Sequence, residues 1–171
     1  MKPIVVVPTF NEKDNIPDLI QGVLAADPDI HIVIVDDRAP DGTADAVKRF
    51  MAESPRVHLI EHEPKGGRGF ADRVGMRYAL DHGFDVIIQM DADLSHPPKY
   101  LPDFLKAIQT HDVVVGSRLV SGGRIEGRNP RRNILTVLAN AYIRFILGLK
   151  IKDCTSGYRA WRRQVLEKIR I

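Results

Sequence analysis

Apolar residues fall in short runs that alternate with stretches of helical spacing. Ile4–Val7, His31–Val35, Val57–Ile60, Val86–Met90 and Val113–Val115 read as strands. Between them lie helical patterns. In Asn15–Ala26, residues Ile16, Leu19, Ile20, Val23 and Leu24 recur at the spacing of one helix face. Thr43–Glu53 follows a helix-entry turn, Asp41-Gly42-Thr43. Gly69–His82, Leu101–Gln109, Arg131–Gly148 and the start of a further helix over Trp161–Ile169 complete the pattern. The strand runs are apolar at consecutive positions, as in strands buried on both faces. This alternation predicts an α/β fold, Rossmann-like, with a mostly parallel sheet flanked by helices on both faces in a single domain. The stripe Ile134, Leu135, Leu138, Tyr142, Phe145 and Ile146 on the long helix is expected to be core. Its alternative is a membrane interface, and Asn140 and Arg144 argue against a span.

In such sheets, ligands bind beyond the carboxyl ends of the strands. Three polar segments, Pro8–Glu12, Asp36–Thr43 and Asp91–His96, each begin immediately after a predicted strand. They are expected to converge on one crevice.

The sharpest of these is Asp91-Ala92-Asp93. Residues i and i+2 of an extended segment point the same way. Two carboxylates held that close repel unless a cation neutralises them. Mg2+ or Mn2+ accepts carboxylate oxygens together with phosphates and waters. The pair is therefore suited to clamping a nucleotide diphosphate. Asp36-Asp37 also ends a strand, and one of the two is expected to accept hydrogen bonds from a base or ribose. A role in the turn with Pro40-Asp41-Gly42 is the alternative for Asp37. Lys65-Gly66-Gly67-Arg68-Gly69 opens a helix, where glycines and a helix N-terminus suit an anion. It has neither Walker A nor dinucleotide-fingerprint spacing. Phosphate contact and a plain helix-entry turn remain equal readings of it.

With 171 residues, 44% hydrophobic and 27% charged, the chain can bury one sizeable core. No apolar run reaches the roughly 18–20 residues of a membrane span. The start, Met1-Lys2-Pro3, leads directly into a strand, so no signal peptide is expected. Cys154 stands alone, which leaves a cytoplasmic setting as the expectation. The net charge of +3 hides an asymmetry. Residues 1–116 hold 12 basic and 19 acidic side chains, whereas residues 117–171 hold 13 basic and 3 acidic ones. The acidic part can recruit a metal. The basic part, with six arginines between Arg118 and Arg144, can meet phosphate or an anionic membrane surface.

Together these segments resemble the polyprenol phosphate mannosyltransferases, including dolichyl-phosphate mannose synthases, within family 2 of the inverting glycosyltransferases. The resemblance rests on VPTFNE at Val7–Glu12, VDDRAPDGT at Val35–Thr43 and KGGRGFA at Lys65–Ala71. It continues through MDADLSHPP at Met90–Pro98, VVVGSR at Val113–Arg118 and DCTSGYRAW at Asp153–Trp161. These stretches occur in the family's order and span nearly the whole chain. The resemblance implies a GT-A catalytic domain over residues 1–171, short at its C-terminal end relative to the family. It implies a donor site at Pro8, Thr9, Phe10, Glu12, Asp36 or Asp37, Lys65 and Asp91. It implies metal at Asp91 and Asp93 with Ser95 as a third contributor, and acceptor phosphate at Arg118, Arg132 and Thr136. Two departures stand out: Arg38-Ala39 replaces small or hydroxyl residues, and Arg68 stands where the commoner KxGLGxA pattern has Leu.

The implied reaction moves a sugar, mannose from GDP-mannose, onto a polyprenyl or dolichyl phosphate. A phosphate monoester, with a second pKa of roughly 6, is largely dianionic at neutral pH and attacks without a general base. The enzyme's task is then positioning and charge stabilisation by Asp91, Asp93, Arg118 and Arg132. The expected setting is the cytoplasm, with peripheral contact at the cytoplasmic face of a membrane as the other option. Alternatives are another donor such as UDP-glucose, a polysaccharide or protein acceptor, or an inactive truncated domain. A nucleic-acid-binding module is disfavoured, because aromatic content is 6% and the acidic DxD face repels nucleic acid.

Overall fold

The computed structural model of the chain describes residues 1–63, 67–117, 119–120, 130–149 and 151–169, with only the backbone described for 130–135. The elements in order are β1 (Pro3–Thr9), α1 (Ile16–Ala26), β2 (His31–Asp36), α2 (Thr43–Glu53), β3 (Val57–Glu61), α3 (Gly67–Asp81) and β4 (Val86–Gln89). A single 3-10 turn, Pro98–Tyr100, then leads to α4 (Leu101–Ala107), β5 (Val113–Val115), α5 (Pro130–Leu147), β6 (Arg159–Arg162) and α6 (Arg163–Lys168). The chain clusters into two compact units, Met1–Val114 with Arg159–Ile171, and Val115–Tyr158.

The sheet runs β3-β2-β1-β4-β6-β5. β1 pairs in parallel with β2, in the register Val5↔Ile32 to Thr9↔Asp36, and with β4, in the register Val5↔Ile88 and Val6↔Gln89. β2 and β3 are also parallel. Successive residues of β1, Ile4 to Val7, are fully buried, as are Ile32 to Val35 on β2. Consecutive burial requires cover on both faces. On one face Ile4, Val6, Val33 and Val35 pack with Ala71, Met76, Ala79 and Leu80 of α3 and with Leu166 of α6. Val5, Val7, Ile32 and Ile34 point to the other face. Each such side chain contributes about 1.5–3 kcal/mol of burial free energy.

One sequence expectation changes here. Arg159–Arg162 is a strand antiparallel to β4, so the helix expected from Trp161 begins only at Arg163. Pairing explains this: Trp161 lies opposite Ile87, and its indole N–H donates to Gln89 Oε1 at 2.9 Å. A partner strand, invisible to local periodicity, outweighs the helical spacing.

The second unit contains α5, and the described part of its apolar stripe is not core. Asn140 is buried, and its side chain accepts from the Cys154 backbone N–H at 2.6 Å and donates to the Thr136 carbonyl at 2.9 Å. Leu138, Tyr142 and Phe145 lie on the opposite side of the helix and are 60%, 68% and 86% exposed. The polar side chain faces inward because the turn at Asp153–Thr155 needs its amide, and this rotates the apolar stripe outward. Ile134 and Leu135 lie outside the described side chains.

α3 approaches the sheet closely at Gly75, where an added Cβ would sit 2.3 Å from Val6 Cγ1 and 3.0 Å from Val35 Cγ2. Gly75→Ala is expected to destabilise the fold by about 1–3 kcal/mol, read from chemical denaturation, despite Ala's better helix propensity.

On the β2–β3 side, His31 and His58 stack with centroids 5.3 Å apart, beside Phe84 and Tyr78. Burial, then the nearby positive charges of His31, His82 and Lys2, lowers the His58 pKa from 6.5 to about 4. As pH falls from 6.5 toward 4 the unfolded chain takes up this proton first, so stability declines across that window. Solvent screening limits the effect to roughly 1 kcal/mol. His58→Phe is expected to flatten this slope when denaturation midpoints at about pH 7.5 and about pH 5 are compared.

Candidate donor and metal site

The parallel register places the ends of β1, β2 and β4 at one edge of the sheet, and the loops that follow them meet there. Backbone bonds tie the ends together: Asp37 N–H donates to the Thr9 carbonyl at 3.1 Å and Met90 N–H to the Val6 carbonyl at 3.1 Å. Each loop contains a non-glycine residue with left-handed backbone, Asn11 at φ 60°, Arg38 at φ 50° and Leu94 at φ 58°. Such conformations cost on the order of 1–2 kcal/mol each and tend to cluster at functional sites.

The first two loops are locked by side chains. Asp41 Oδ2 accepts from the Lys13 N–H at 3.0 Å, and Asp41 Oδ1 accepts from the Thr43 hydroxyl at 2.7 Å. Thr43 Oγ1 in turn accepts from the Glu12 N–H at 3.1 Å. Burial pushes the Asp41 carboxyl up, but the Thr43 hydroxyl and the Lys13 and Thr43 amides outweigh it and hold it below its ordinary value. The Asp-Gly-Thr turn thus fixes the loop carrying Phe10 and Glu12.

A cleft of about 240 Å3 opens between the loops, lined by Pro8, Thr9, Phe10, Glu12, Asp37, Asp91 and Asp93, with Arg68 and Ala71 from α3. Asp36 and Asp37 separate cleanly. Asp36 is fully buried, accepting from the Thr9 hydroxyl at 2.9 Å and the Ala39 N–H at 3.0 Å. Burial raises its pKa. It ties β1 to β2 and does not line the cleft, so the donor-contact expectation passes to Asp37 alone. Asp37 Oδ1 lies 2.6 Å from His62 Nε2.

Asp91 and Asp93 both face the cleft. His96 Nδ1 accepts the Asp91 N–H at 3.0 Å, which holds the loop closed behind the pair. Burial alone would raise the Asp93 pKa, but the Ser95 hydroxyl and amide, with His96 and Arg68, bring it below its ordinary value, so Asp93 is ionised at neutral pH. Ser95 is thereby engaged as a support of Asp93, its N–H 3.0 Å from Oδ1, and it does not line the cleft. Among the described residues no group of three or more His, Cys, Asp or Glu side chains could hold a metal. Two hard carboxylates with room beside them fit a divalent ion that takes its remaining ligands from a diphosphate and water.

Sequence reasoning missed Arg68 as a site residue. Its guanidinium forks onto Asp91, Nη1 donating to Oδ2 at 3.2 Å and Nη2 to Oδ1. Its Nε lies 4.0 Å from Asp72 Oδ2. Burial pushes the Asp72 carboxyl up against the pull of Arg68 and of a hydrogen bond from Gln89. Gln89 is itself held by Trp161. A polar chain therefore runs Trp161–Gln89–Asp72–Arg68–Asp91, and its only signal in the sequence was the departure at Arg68 from the Leu of KxGLGxA. His62 and His96 were likewise invisible as partners of the acidic residues.

Lys65 and Arg118 lie outside the described residues, as does the side chain of Arg132. Thr136 is described on α5, in the second unit, with its carbonyl accepting from Asn140.

The model of glycosyl transferase family 2 matches residues 4–170. This chain belongs to that family. The family 2 chain is 44% identical over 170 residues to the polyprenol monophosphomannose synthase of Mycolicibacterium smegmatis, covering 98% of itself and 64% of that protein. It is 39% identical over 169 residues to the undecaprenyl-phosphate mannosyltransferase of Micrococcus luteus, covering 99% of itself and 70% of that protein. The family 2 chain thus spans about two thirds of the length of these relatives. Among solved structures it resembles the mannosyltransferase PcManGT from Pyrobaculum calidifontis in complex with GDP-Man and Mn2+. That match has a TM-score of 0.62 at 22% identity and covers 99% of this chain and 46% of the other. It establishes the shared GT-A fold.

Trp161→Phe deletes the indole donor and leaves Gln89 Oε1 without it in a half-buried setting. The variant is expected to lose about 1–3 kcal/mol of stability in denaturant titrations.

Proposed function

We propose that this chain is the catalytic domain of an inverting, metal-dependent mannosyltransferase that transfers mannose from GDP-mannose to a polyprenyl phosphate. The observation that carries the reading is the convergence of Asp37, Asp91 and Asp93 with the Pro8–Glu12 loop in one cleft at the carboxyl edge of the sheet. The names of the two relatives support the sugar and the acceptor class. GDP-Man and Mn2+ in the complex of PcManGT support the donor and the metal, for which Mg2+ is the other candidate.

In this reading Asp37 and the backbone of Pro8–Phe10 hold the nucleoside. Asp91 and Asp93 hold the divalent ion, which when bound neutralises charge on the diphosphate leaving group. Arg118 and Arg132 bind the acceptor phosphate, because guanidinium forks match phosphate oxygens. Thr136 adds a hydroxyl nearby. A phosphate oxygen attacks the anomeric carbon as the bond to the diphosphate breaks, and configuration inverts. No general base is required, since the acceptor arrives ionised.

The exposed apolar face of α5 and the basic excess of residues 117–171 suit a lipid-phase acceptor and peripheral contact with a cytoplasmic membrane face. Among the described residues no helix is long and apolar enough to cross a membrane.

Asp93→Ala is expected to lower transfer to a short polyprenyl phosphate by roughly a thousandfold or more while circular dichroism stays unchanged. Wild-type rates in this variant with metal chelated would contradict the reading.

A further inference from the structure

Four carboxylates, Glu12, Asp37, Asp91 and Asp93, line the donor cleft, and among the described lining residues Arg68 is the one cation. We propose that Arg68 is a resident counter-cation of the Asp91 carboxylate, which a divalent ion displaces onto the diphosphate of the donor. The inference rests on the metal and diphosphate reading above and adds a donor-positioning residue to it.

Three features carry it. First, the pairing is a two-pronged fork onto the same carboxylate that would bind the ion. A divalent ion and a guanidinium on one carboxylate repel each other, so entry of the ion weakens Arg68's hold. Second, Arg68 is the second residue of α3, where the helix dipole disfavours a cation. An arginine held there needs anions in front of it, either carboxylates or phosphates. Third, the side chain can move. It is 54% exposed, and Gly67 and Gly69 flank it with no atom of the described residues within 4 Å of where their Cβ atoms would be. Asp72, one turn along and 4.0 Å from Nε, offers a second acceptor that keeps the guanidinium at the cleft wall during the exchange. Once displaced, the fork faces a diphosphate with the geometry that guanidinium groups match best. A leucine at this position could do neither task.

The test uses Mn2+ alone and then Mn2+ with GDP or GMP, on the whole chain as wild type, Arg68→Leu and Arg68→Lys. Free Mn2+ is read by electron paramagnetic resonance, and nucleotide binding by calorimetry. Without nucleotide, Arg68→Leu is expected to bind Mn2+ roughly tenfold more tightly than wild type, because its competitor is gone. With Mn2+ present, the preference of Arg68→Leu for GDP over GMP is expected to fall roughly tenfold, since the β-phosphate loses its fork. Arg68→Lys should fall between, as a point charge without a fork. Melting temperatures should stay close together, because exposed ion pairs contribute little stability. Unchanged or weaker Mn2+ binding by Arg68→Leu would overturn the displacement. Tighter Mn2+ binding with an unaltered GDP preference would overturn the transfer to diphosphate. Absence of Mn2+ binding in wild type and in Arg68→Leu alike would remove the metal reading itself, and this inference with it.

Discussion

Parallel strands end together, so the loops after β1, β2 and β4 are forced to one edge of the sheet. In this chain those loops bring Glu12, Asp37, Asp91 and Asp93 around one small cleft. Like charges lining one small cleft oppose one another unless a cation sits among them. Much of the surrounding structure answers that constraint. Asp41 and Thr43 pin the first loop, Asp36 and Thr9 join two strand ends, and His96 and Ser95 brace the DxD turn. Arg68 supplies positive charge from the helix side. The left-handed residues Asn11, Arg38 and Leu94 mark the conformational cost of holding the loops this way.

The same constraint connects fold to chemistry. β1 and β2, buried along nearly their whole length, fix the loop roots and so hold the carboxylates in place around the cleft. Preorganised charge of this kind is where transferases gain most of their advantage, because no reorganisation is needed at the moment of bond cleavage. α5 is built differently: its described residues Leu138, Tyr142 and Phe145 are exposed on the side opposite the buried Asn140. In the proposed reading this exposed apolar face suits contact with something nonpolar.

Much of this was legible from residue order. Consecutive apolar residues at Ile4–Val7 and His31–Val35 announced strands buried on both sides, and the polar segments behind them announced the cleft. Asp91 and Asp93 were readable as a close carboxylate pair behind a strand, although the structure sets them in a turn and not on the extended segment that the i, i+2 rule assumes. The same rule explains why Asp36 and Asp37 stayed ambiguous. Adjacent residues point to opposite sides, and only the partner Thr9 shows that Asp36 is the inner one. Other features depend on contacts distant in sequence. Arg159–Arg162 becomes a strand because β4 offers an edge, 72 residues away at the Gln89–Trp161 bond. Periodicity showed that α5 has an apolar face but not what covers it. Arg68 looked like a departure from a pattern, and its partner Asp91 is 23 residues distant.

The central claim is that Asp91 and Asp93 hold a divalent ion that also touches the donor's diphosphate. Electron–nuclear double resonance of Mn2+ bound to the wild-type chain with GDP tests this most directly, since phosphorus coupling appears only when phosphate oxygen is a metal ligand. The account predicts a resolved phosphorus coupling in wild type that is lost in Asp91→Asn/Asp93→Asn. A spectrum in wild type matching fully hydrated Mn2+, or a phosphorus coupling that survives the double substitution, would contradict it.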